Sequence, residues 1–193
     1  MINLFMRKLF SLLIPALFAL SLPLTGASAA GPGSPGDEFF DSSLGDYAEE
    51  LDLARQDGKL GVLLVFEADT CPYCHIMREQ ALSKAAAQEL FRKHFSIYRV
   101  DILGSVAITD FAGREMTEKA FAKQWRVHGT PTYLFIGLDG AEMARFTGVT
   151  RNLDAFLALG RFVIGGHWRD QDFDAYHPDN RAPPGLLRKG KAG

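Results

Sequence analysis

The sequence predicts an α/β fold in which a central mixed sheet of about four strands is flanked by helices. Three observations support this fold class. A continuous apolar run at 62–66 has the length of a buried central strand. Segments with helical spacing of apolar residues alternate with strand-like segments along the chain. The turn signal Asp139-Gly140 joins two further strand-like segments and predicts a hairpin.

Length and composition indicate a globular protein. The chain has 193 residues, which is enough for one domain with a hydrophobic core. With 47% hydrophobic and 23% charged residues, the composition is not that of a disordered chain. The formal net charge of −2 provides no strong basic field, so we expect no nucleic-acid partner.

The first 30 residues have the pattern of a secretory signal peptide. Two basic residues precede an apolar stretch at 9–24, and small residues end the segment. A charged start, an apolar middle and a small-residue end are typical of segments that are removed at export. We therefore assign 1–30 to a signal peptide cleaved near Ala29 or Ala30, which predicts a periplasmic protein. The alternative is an uncleaved membrane anchor.

The remaining chain is divided by composition. Residues 31–43 begin with Gly, Pro and Ser and are assigned to a linker. The folded domain is expected to span 44–177. Residues 178–193 are rich in Pro and Gly and carry several basic side chains, so they are assigned to a disordered basic tail.

The elements of the domain follow from the spacing of its apolar residues. In chain order, we predict a helix at 44–58, a strand at 62–66, a helix to 81 with a second part at 84–94, a strand at 95–102, a helix from 117, hairpin strands at 132–136 and 141–146, and a closing helix at 152–163. The first two strands are joined through helices and should be parallel. Residues 103–116 show no clear pattern and are expected to form an irregular connection.

The motif Cys71-Pro72-Tyr73-Cys74 lies between strand 62–66 and the start of a helix, and it holds the only two cysteines. Two intervening residues at a helix start bring both sulfurs to the end where free N–H groups favour a thiolate. Pro72 suits this first turn because its missing N–H is not needed there. We predict that Cys71 is the attacking thiol, that Cys74 resolves the intermediate, and that this redox-active disulfide works without a bound cofactor.

Three other interpretations of this motif stay open. A zinc site is disfavoured because there is no second Cys-x-x-Cys and the histidines show no compact ligand spacing. A purely structural disulfide is disfavoured because the closed loop is too short to constrain the chain much. A copper(I) carrier would use Cys71 and Cys74, helped by His75 or Met77.

A second segment, Trp-Arg-Val-His-Gly-Thr-Pro-Thr at 125–132, resembles the Val-x-Gly-x-Pro-Thr segment of thioredoxins. Together with the Cys-x-x-Cys motif after an apolar strand, it makes 44–166 similar to exported members of the thioredoxin-like superfamily. Within that superfamily, the Cys-Pro-Tyr-Cys-His sequence, the two-part helix and the ending Gly-Gly-His-Trp-Arg-Asp resemble the SoxW-type periplasmic thioredoxins of sulfur-oxidation systems.

The resemblance implies a substrate site and partners. Thr130-Pro131 would be a cis peptide bond facing the cysteines, and the backbone of Thr130 would pair with an incoming substrate strand. Pro72 and Tyr73 would complete the substrate-binding surface. The implied partners are exported proteins with disulfides and a membrane electron donor of the CcdA/DsbD kind, and the protein itself would be a monomer.

The sequence departs from the thioredoxin pattern at two positions. Val65 stands where thioredoxins have a buried aspartate, and Thr70 stands where they have tryptophan. The usual proton acceptor for Cys74 is therefore missing. Glu67 is the nearest substitute on the strand, and a partly buried carboxylate there would accept the Cys74 proton. The alternative is that Glu67 points into solvent.

These inferences predict an exported thiol–disulfide oxidoreductase that works as a reductase. The Cys71 thiolate attacks a substrate disulfide, and Cys74 then releases the reduced substrate. An oxidase or isomerase on the same fold is the first alternative, because about 30 mV corresponds to only about 1.4 kcal/mol. The copper(I) carrier is the second.

Overall fold

The computed structural model describes residues 33–180. The predicted signal peptide at 1–30 lies outside the described residues, as do residues 31–32 and the part of the predicted tail at 181–193. No helix within 33–180 combines the length and the apolar character that a membrane span requires.

The described chain contains both helices and strands. In order, they are α1 Tyr47–Gln56, β1 Gly61–Glu67, α2 Pro72–Met77, α3 Ala85–His94, β2 Phe95–Asp101, β3 Ala107–Thr109, β4 Glu115–Thr117, α4 Glu118–Gln124, β5 Thr132–Gly137, β6 Glu142–Thr147, α5 Leu153–Ile164 and α6 Phe173–Tyr176. A π-helical segment, Arg78–Leu82, follows α2, and short 3₁₀ turns occur at Asp37–Phe39 and His167–Arg169.

The central sheet has four strands in the order β2-β1-β5-β6. Strands β1 and β2 are parallel, β5 is antiparallel to β1, and β6 is antiparallel to β5. This confirms the predicted mixed sheet, the parallel first pair and the hairpin. The hairpin turn depends on Gly140, whose φ of 76° is a conformation that glycine adopts without strain.

Strand β1 is central because apolar residues cover both of its faces. All seven residues from Gly61 to Glu67 are buried. Leu63 and Val65 belong to a core cluster shared with α3 and α5, whereas Leu64 and Phe66 belong to a second cluster shared with α1 and α4. The continuous apolar run in the sequence reflects this two-sided burial.

The connection at 103–116 differs from the prediction of an irregular segment. It contains the antiparallel hairpin of β3 and β4, whose strands have only three residues each, too few for a visible alternation. Asp110 fixes the turn by accepting hydrogen bonds from the backbone N–H groups of Ala112 and Arg114 and from the Arg114 guanidinium. Burial alone would raise the pKa of Asp110, but these bonds lower it to about 2.

The described part of the predicted linker at 31–43 is packed against the domain. Phe39 is fully buried, and its ring contacts those of Phe91 and Phe156. Asp41 bridges the free edge of β2, since its N–H donates to the Ile97 carbonyl and its carboxylate accepts from the Ile97 N–H. The sequence prediction rested on the Gly, Pro and Ser residues and gave too little weight to the aromatic ring of Phe39.

The C-terminal boundary also lies later than predicted. Asn180, which was assigned to the tail at 178–193, is buried, and its carbonyl oxygen accepts a hydrogen bond from the Arg151 N–H at 2.7 Å. Residues 178–180 therefore continue the fold.

Candidate active site

Cys71 caps the N-terminus of α2, directly after the turn that follows β1. Its backbone is extended, with φ −86° and ψ 107°, and Pro72 occupies the first helical turn. The Cys71 N–H donates to the Ala68 carbonyl at 3.0 Å, which closes the turn between strand and helix. The sequence folds this way because an N-cap residue is non-helical and a proline fits the position after it.

Cys71 and Cys74 form a disulfide with their Cα atoms 5.3 Å apart. The N–H of Cys74 points at Cys71 Sγ, with a nitrogen–sulfur distance of 3.1 Å. In the reduced protein this N–H and the N-terminus of α2 would stabilise a Cys71 thiolate. Cys71 is 7% exposed and Cys74 is 2% exposed, so Cys71 is the more exposed residue of the pair.

The segment 129–131 lies against the disulfide. Because β5 is antiparallel to β1 and Thr132 pairs with Phe66, β5 begins beside the end of β1 that carries the cysteines. The Thr130–Pro131 peptide bond is cis, and the Thr130 carbonyl oxygen lies 3.5 Å from Cys71 Sγ. Within residues 33–180 the Thr130 N–H has no hydrogen-bond partner, so it is available to a bound strand.

The two residues between the cysteines face solvent. Pro72 is exposed, and Tyr73 is 41% exposed. His75 directs Nε2 to the Asp69 carbonyl oxygen at 3.2 Å.

Residues 33–180 contain no group of three or more His, Cys, Asp or Glu side chains placed to hold a metal ion.

Glu67 is buried and forms ion pairs. Its carboxylate accepts from Arg78 Nη2 at 2.6 Å and from Arg78 Nε at 3.1 and 3.2 Å. Arg99 Nε lies 3.4 Å from the same carboxylate. The alternative of a solvent-facing Glu67 is therefore wrong, but the hydrogen bonds and ion pairs of Glu67 within 33–180 do not include a cysteine.

Arg78 was not identified as a site residue from the sequence. It follows Cys74 by four residues, and its N–H donates to the Cys74 carbonyl, so both residues lie on the same helical face. Besides Glu67, it binds Asp37 through Nη1 at 2.6 Å. Burial alone would lower the pKa of Arg78, but the ion pairs raise it. The sequence signal that could have identified Arg78 is its spacing of four residues from Cys74, which places a charged side chain on the inward face of the helix and implies a buried partner.

Val65, which stands at the sequence position of the buried aspartate in the thioredoxin pattern, lies beside Tyr133. They are direct partners in the β1–β5 register, and both are fully buried. The Tyr133 hydroxyl has no hydrogen-bond partner within 33–180. Burial, reinforced by the charge of Glu67, raises the pKa of this phenol well above its usual value. At neutral pH Tyr133 is therefore a neutral group behind the cysteines.

Comparison with known protein families identifies the family of this chain. The sequence pattern of the thioredoxin-like domain matches residues 47–164. The chain belongs to the thioredoxin-like family. In this domain the Cys71–Cys74 disulfide lies beside the cis Thr130–Pro131 bond, and that geometry is suited to thiol–disulfide exchange.

Two curated relatives of this thioredoxin-like chain are thiol:disulfide interchange proteins DsbD. The protein from Pseudomonas sp. (strain JR1 / K1) is 34% identical over 140 residues, covering 71% of this chain and 22% of that protein. The protein from Pseudomonas fluorescens (strain Pf-5) is 33% identical over 113 residues, covering 58% of this chain and 17% of that protein. The chain thus spans about a fifth of the length of these relatives.

Solved structures agree with the thioredoxin-like assignment. A thioredoxin from Thermus thermophilus has 29% identity and a TM-score of 0.50, covering 68% of this chain and 93% of that one. A thioredoxin-fold protein from Helicobacter pylori has 25% identity and a TM-score of 0.50, covering 59% and 74%. A DsbH oxidoreductase, with 22% identity, a TM-score of 0.52 and coverage of 65% and 85%, shows the shared fold alone.

Proposed function

We propose that this protein is an exported reductase of protein disulfides. The observation that carries the proposal is the position of Cys71, which caps α2 and lies 3.5 Å from the Thr130 carbonyl. The unpaired Thr130 N–H beside it offers a backbone donor to an extended substrate. One strand of substrate bound there would present its disulfide to Cys71.

The proposed reaction has two exchange steps. The Cys71 thiolate attacks one sulfur of a substrate disulfide, forming a mixed disulfide while the other substrate sulfur leaves as a thiolate and takes up a proton. Cys74 then loses its proton and attacks Cys71. This step releases the second substrate thiol and leaves the Cys71–Cys74 disulfide, which a donor must reduce with two electrons.

The surroundings of Cys71 support the reducing direction. A strong oxidant stabilises its reduced form, chiefly by stabilising the thiolate. Here the residues between the cysteines are Pro72 and Tyr73, neither of which is cationic. The nearby guanidinium groups of Arg78 and Arg99 are bound to carboxylates. The Cys74 N–H and the start of α2 are therefore the proposed source of thiolate stabilisation.

Glu67 is the proposed proton acceptor for Cys74. Its carboxylate pairs with Arg78, and it lies at the end of β1 that leads into the cysteine turn. To accept a proton, Glu67 would have to give up a hydrogen bond from Arg78. Proton transfer at this site is therefore coupled to a change in the Arg78 contacts.

Export and partners complete the proposal. The pattern at 1–30 supports secretion to the periplasm with cleavage near Ala29 or Ala30. The similarity to DsbD proteins supports a membrane donor of the CcdA/DsbD kind. The SoxW-type resemblance supports substrates among the exported proteins of sulfur oxidation. We also propose that the protein acts as a monomer.

The activity is tested by insulin reduction and by the reduction potential. We expect turnover of insulin and a potential near that of thioredoxin, about −270 mV, and not near that of DsbA, about −120 mV. The Cys74→Ala variant should accumulate mixed disulfides with exported proteins, whereas the control Cys71→Ala should accumulate none. No turnover together with no trapping would refute the exchange function, and a potential near that of DsbA would refute the direction.

Export is tested separately. Cell fractionation followed by N-terminal sequencing should find the protein in the periplasm, beginning at Ala30 or Gly31. A protein that keeps 1–30 would support the membrane-anchor alternative, and one confined to the cytoplasm would contradict export.

A further inference from the structure

Three exposed cations follow one another closely on α4 and in the turn after it. Lys119, Lys123 and Arg126 are exposed, and none of them forms an ion pair within residues 33–180. Lys119 and Lys123 lie four residues apart on α4 and share one helical face. Together with Arg126, they concentrate three positive charges within eight residues of a chain whose net charge is −2.

Both ends of this segment are tied to the cysteines. At its start, the Lys119 N–H donates to the Gly104 carbonyl at 3.0 Å, and Gly104 follows Ile102, which packs against the Cys71–Cys74 cluster. At its end, the chain continues from Arg126 to Thr130, whose carbonyl contacts Cys71 Sγ. The segment that carries the cations is therefore connected at both ends to residues close to the disulfide.

Arg126 has an unusual backbone conformation. Its φ is 53°, and it is the one non-glycine residue with a positive φ in the described chain. Residues with a Cβ adopt this region with strain, whereas glycine adopts it freely. The turn is held because the Arg126 N–H donates to the Lys123 carbonyl at 3.0 Å. The Arg126 guanidinium forms no ion pair within 33–180, so its charge is available to a bound partner.

Exposed apolar side chains border the cations. Leu103 and Val106 are each 64% exposed. Their backbone is nevertheless fixed, because the Leu103 N–H donates to the Asp101 carboxylate and the Val106 carbonyl accepts from the Glu118 N–H. The backbone of both residues is thus fixed while their side chains stay exposed.

The acidic groups nearby are mostly engaged within the fold. The Asp101 carboxylate accepts from the Leu103 N–H, and the Glu118 carboxylate accepts from the Asp101 N–H. Burial raises the pKa of Glu118. Glu115 on β4 is the exposed acid of this region. The cations of this region thus differ from Asp101 and Glu118, because the carboxylates of these two acids are held by backbone N–H groups of the fold, whereas the cations form no ion pair within 33–180.

We propose that Lys119, Lys123 and Arg126, with Leu103 and Val106, form a docking surface, which we call the basic edge, for substrates with acidic and apolar residues beside the exchangeable disulfide. This inference rests on the proposed function and deepens it. Charge complementarity identifies the partner, because unpaired cations attract acidic surfaces and accelerate encounter with them. The apolar pair provides contact area once the partner has bound.

The test uses two synthetic peptides, each with one intramolecular disulfide flanked by leucines. One peptide carries glutamates beside the disulfide and the other carries lysines. The reduced full-length protein should react faster with the acidic peptide, by about tenfold at low ionic strength, and the preference should shrink at high ionic strength. Lys123→Glu and Arg126→Gly should each lower kcat/KM for the acidic peptide by about two- to fivefold, and Arg126→Lys should not.

Controls separate this inference from the proposed function. Lys93→Glu makes the same charge change at the end of α3, next to the opposite end of β1, and should leave the preference unchanged. Bis(2-hydroxyethyl) disulfide, which is uncharged, should be reduced equally by all variants. If the wild type fails on this compound, the proposed function fails and the docking surface with it. If that reaction proceeds but the two peptides react alike, or Lys93→Glu has the same effect as Lys123→Glu, the basic edge is refuted.

Discussion

Replacing Arg78 by methionine should destabilise the protein strongly, because it leaves a buried carboxylate without its main partner. The Glu67 side chain is 2% exposed and that of Arg78 is 7% exposed. Arg78 supplies Glu67 with hydrogen bonds from Nε and Nη2, and the remaining partner, Arg99 Nε, is 3.4 Å away. Breaking a buried pair in this way costs about 3–5 kcal/mol, most of which is the unpaired charge.

The assay is urea unfolding of the oxidised protein, with Arg92→Met as the matched control. Arg92 binds Asp41 at 2.7 Å, but its side chain is 42% exposed, so its loss should cost no more than about 1 kcal/mol. Adding Glu67→Gln to Arg78→Met should recover a large part of the loss, since the buried charge is then gone. A loss below about 1 kcal/mol for Arg78→Met, or simple additivity in the double variant, would refute the argument.

Four further predictions concern the proposed proton acceptor Glu67, the β3–β4 hairpin, the turn at Arg126 and the segment before α1. Glu67→Gln should slow the resolving attack of Cys74 by about 10²-fold in single-turnover kinetics and leave the first attack unchanged. Equal slowing of both steps would contradict a proton-transfer role. Asp110 has its pKa lowered from 3.8 to about 2 in the folded state, so its stabilisation is present above pH 4 and is lost as the pH falls through about 2. Asp110→Asn should therefore cost about 2 kcal/mol at pH 7 and much less near pH 2, and a pH-independent difference in unfolding free energy would contradict this. Arg126→Gly should stabilise the protein by about 0.5–1 kcal/mol, because the relief of strain exceeds the freedom gained by the unfolded chain, and calorimetry should show a higher Tm. A lower Tm would show that the arginine side chain stabilises the fold. Phe39→Ala should cost about 3–5 kcal/mol in urea unfolding, whereas a change near zero would mean that the segment before α1 is dispensable.

The sequence was sufficient where a pattern was long or tied to a particular turn. The apolar run at 62–66 predicted the central strand because every residue of β1 is buried. Asp139-Gly140 predicted the hairpin because glycine suits the positive φ found there. The Cys-x-x-Cys motif predicted the capped helix and the disulfide, which depend only on neighbouring residues.

The features that the sequence did not reveal depend on contacts between distant parts of the chain. The Arg78–Glu67 pair forms because a helix and a strand turn their inward faces toward each other, which spacing alone does not show. Phe39 belongs to the core through rings that follow it by more than 50 residues. The turn between β3 and β4 is fixed by the hydrogen bonds of one aspartate, Asp110, and the two short strands carry no periodic signal.

The contact between Asp41 and Ile97 has a consequence for solubility. Strand β2 is an outer strand of the sheet, and outer strands present unpaired amide and carbonyl groups that can recruit a foreign strand. Asp41 binds both the N–H and the carbonyl of Ile97, so the hydrogen bonds of a second strand added to this edge would be interrupted at Ile97. The residues just before the first helix thereby limit aggregation through that edge of the sheet.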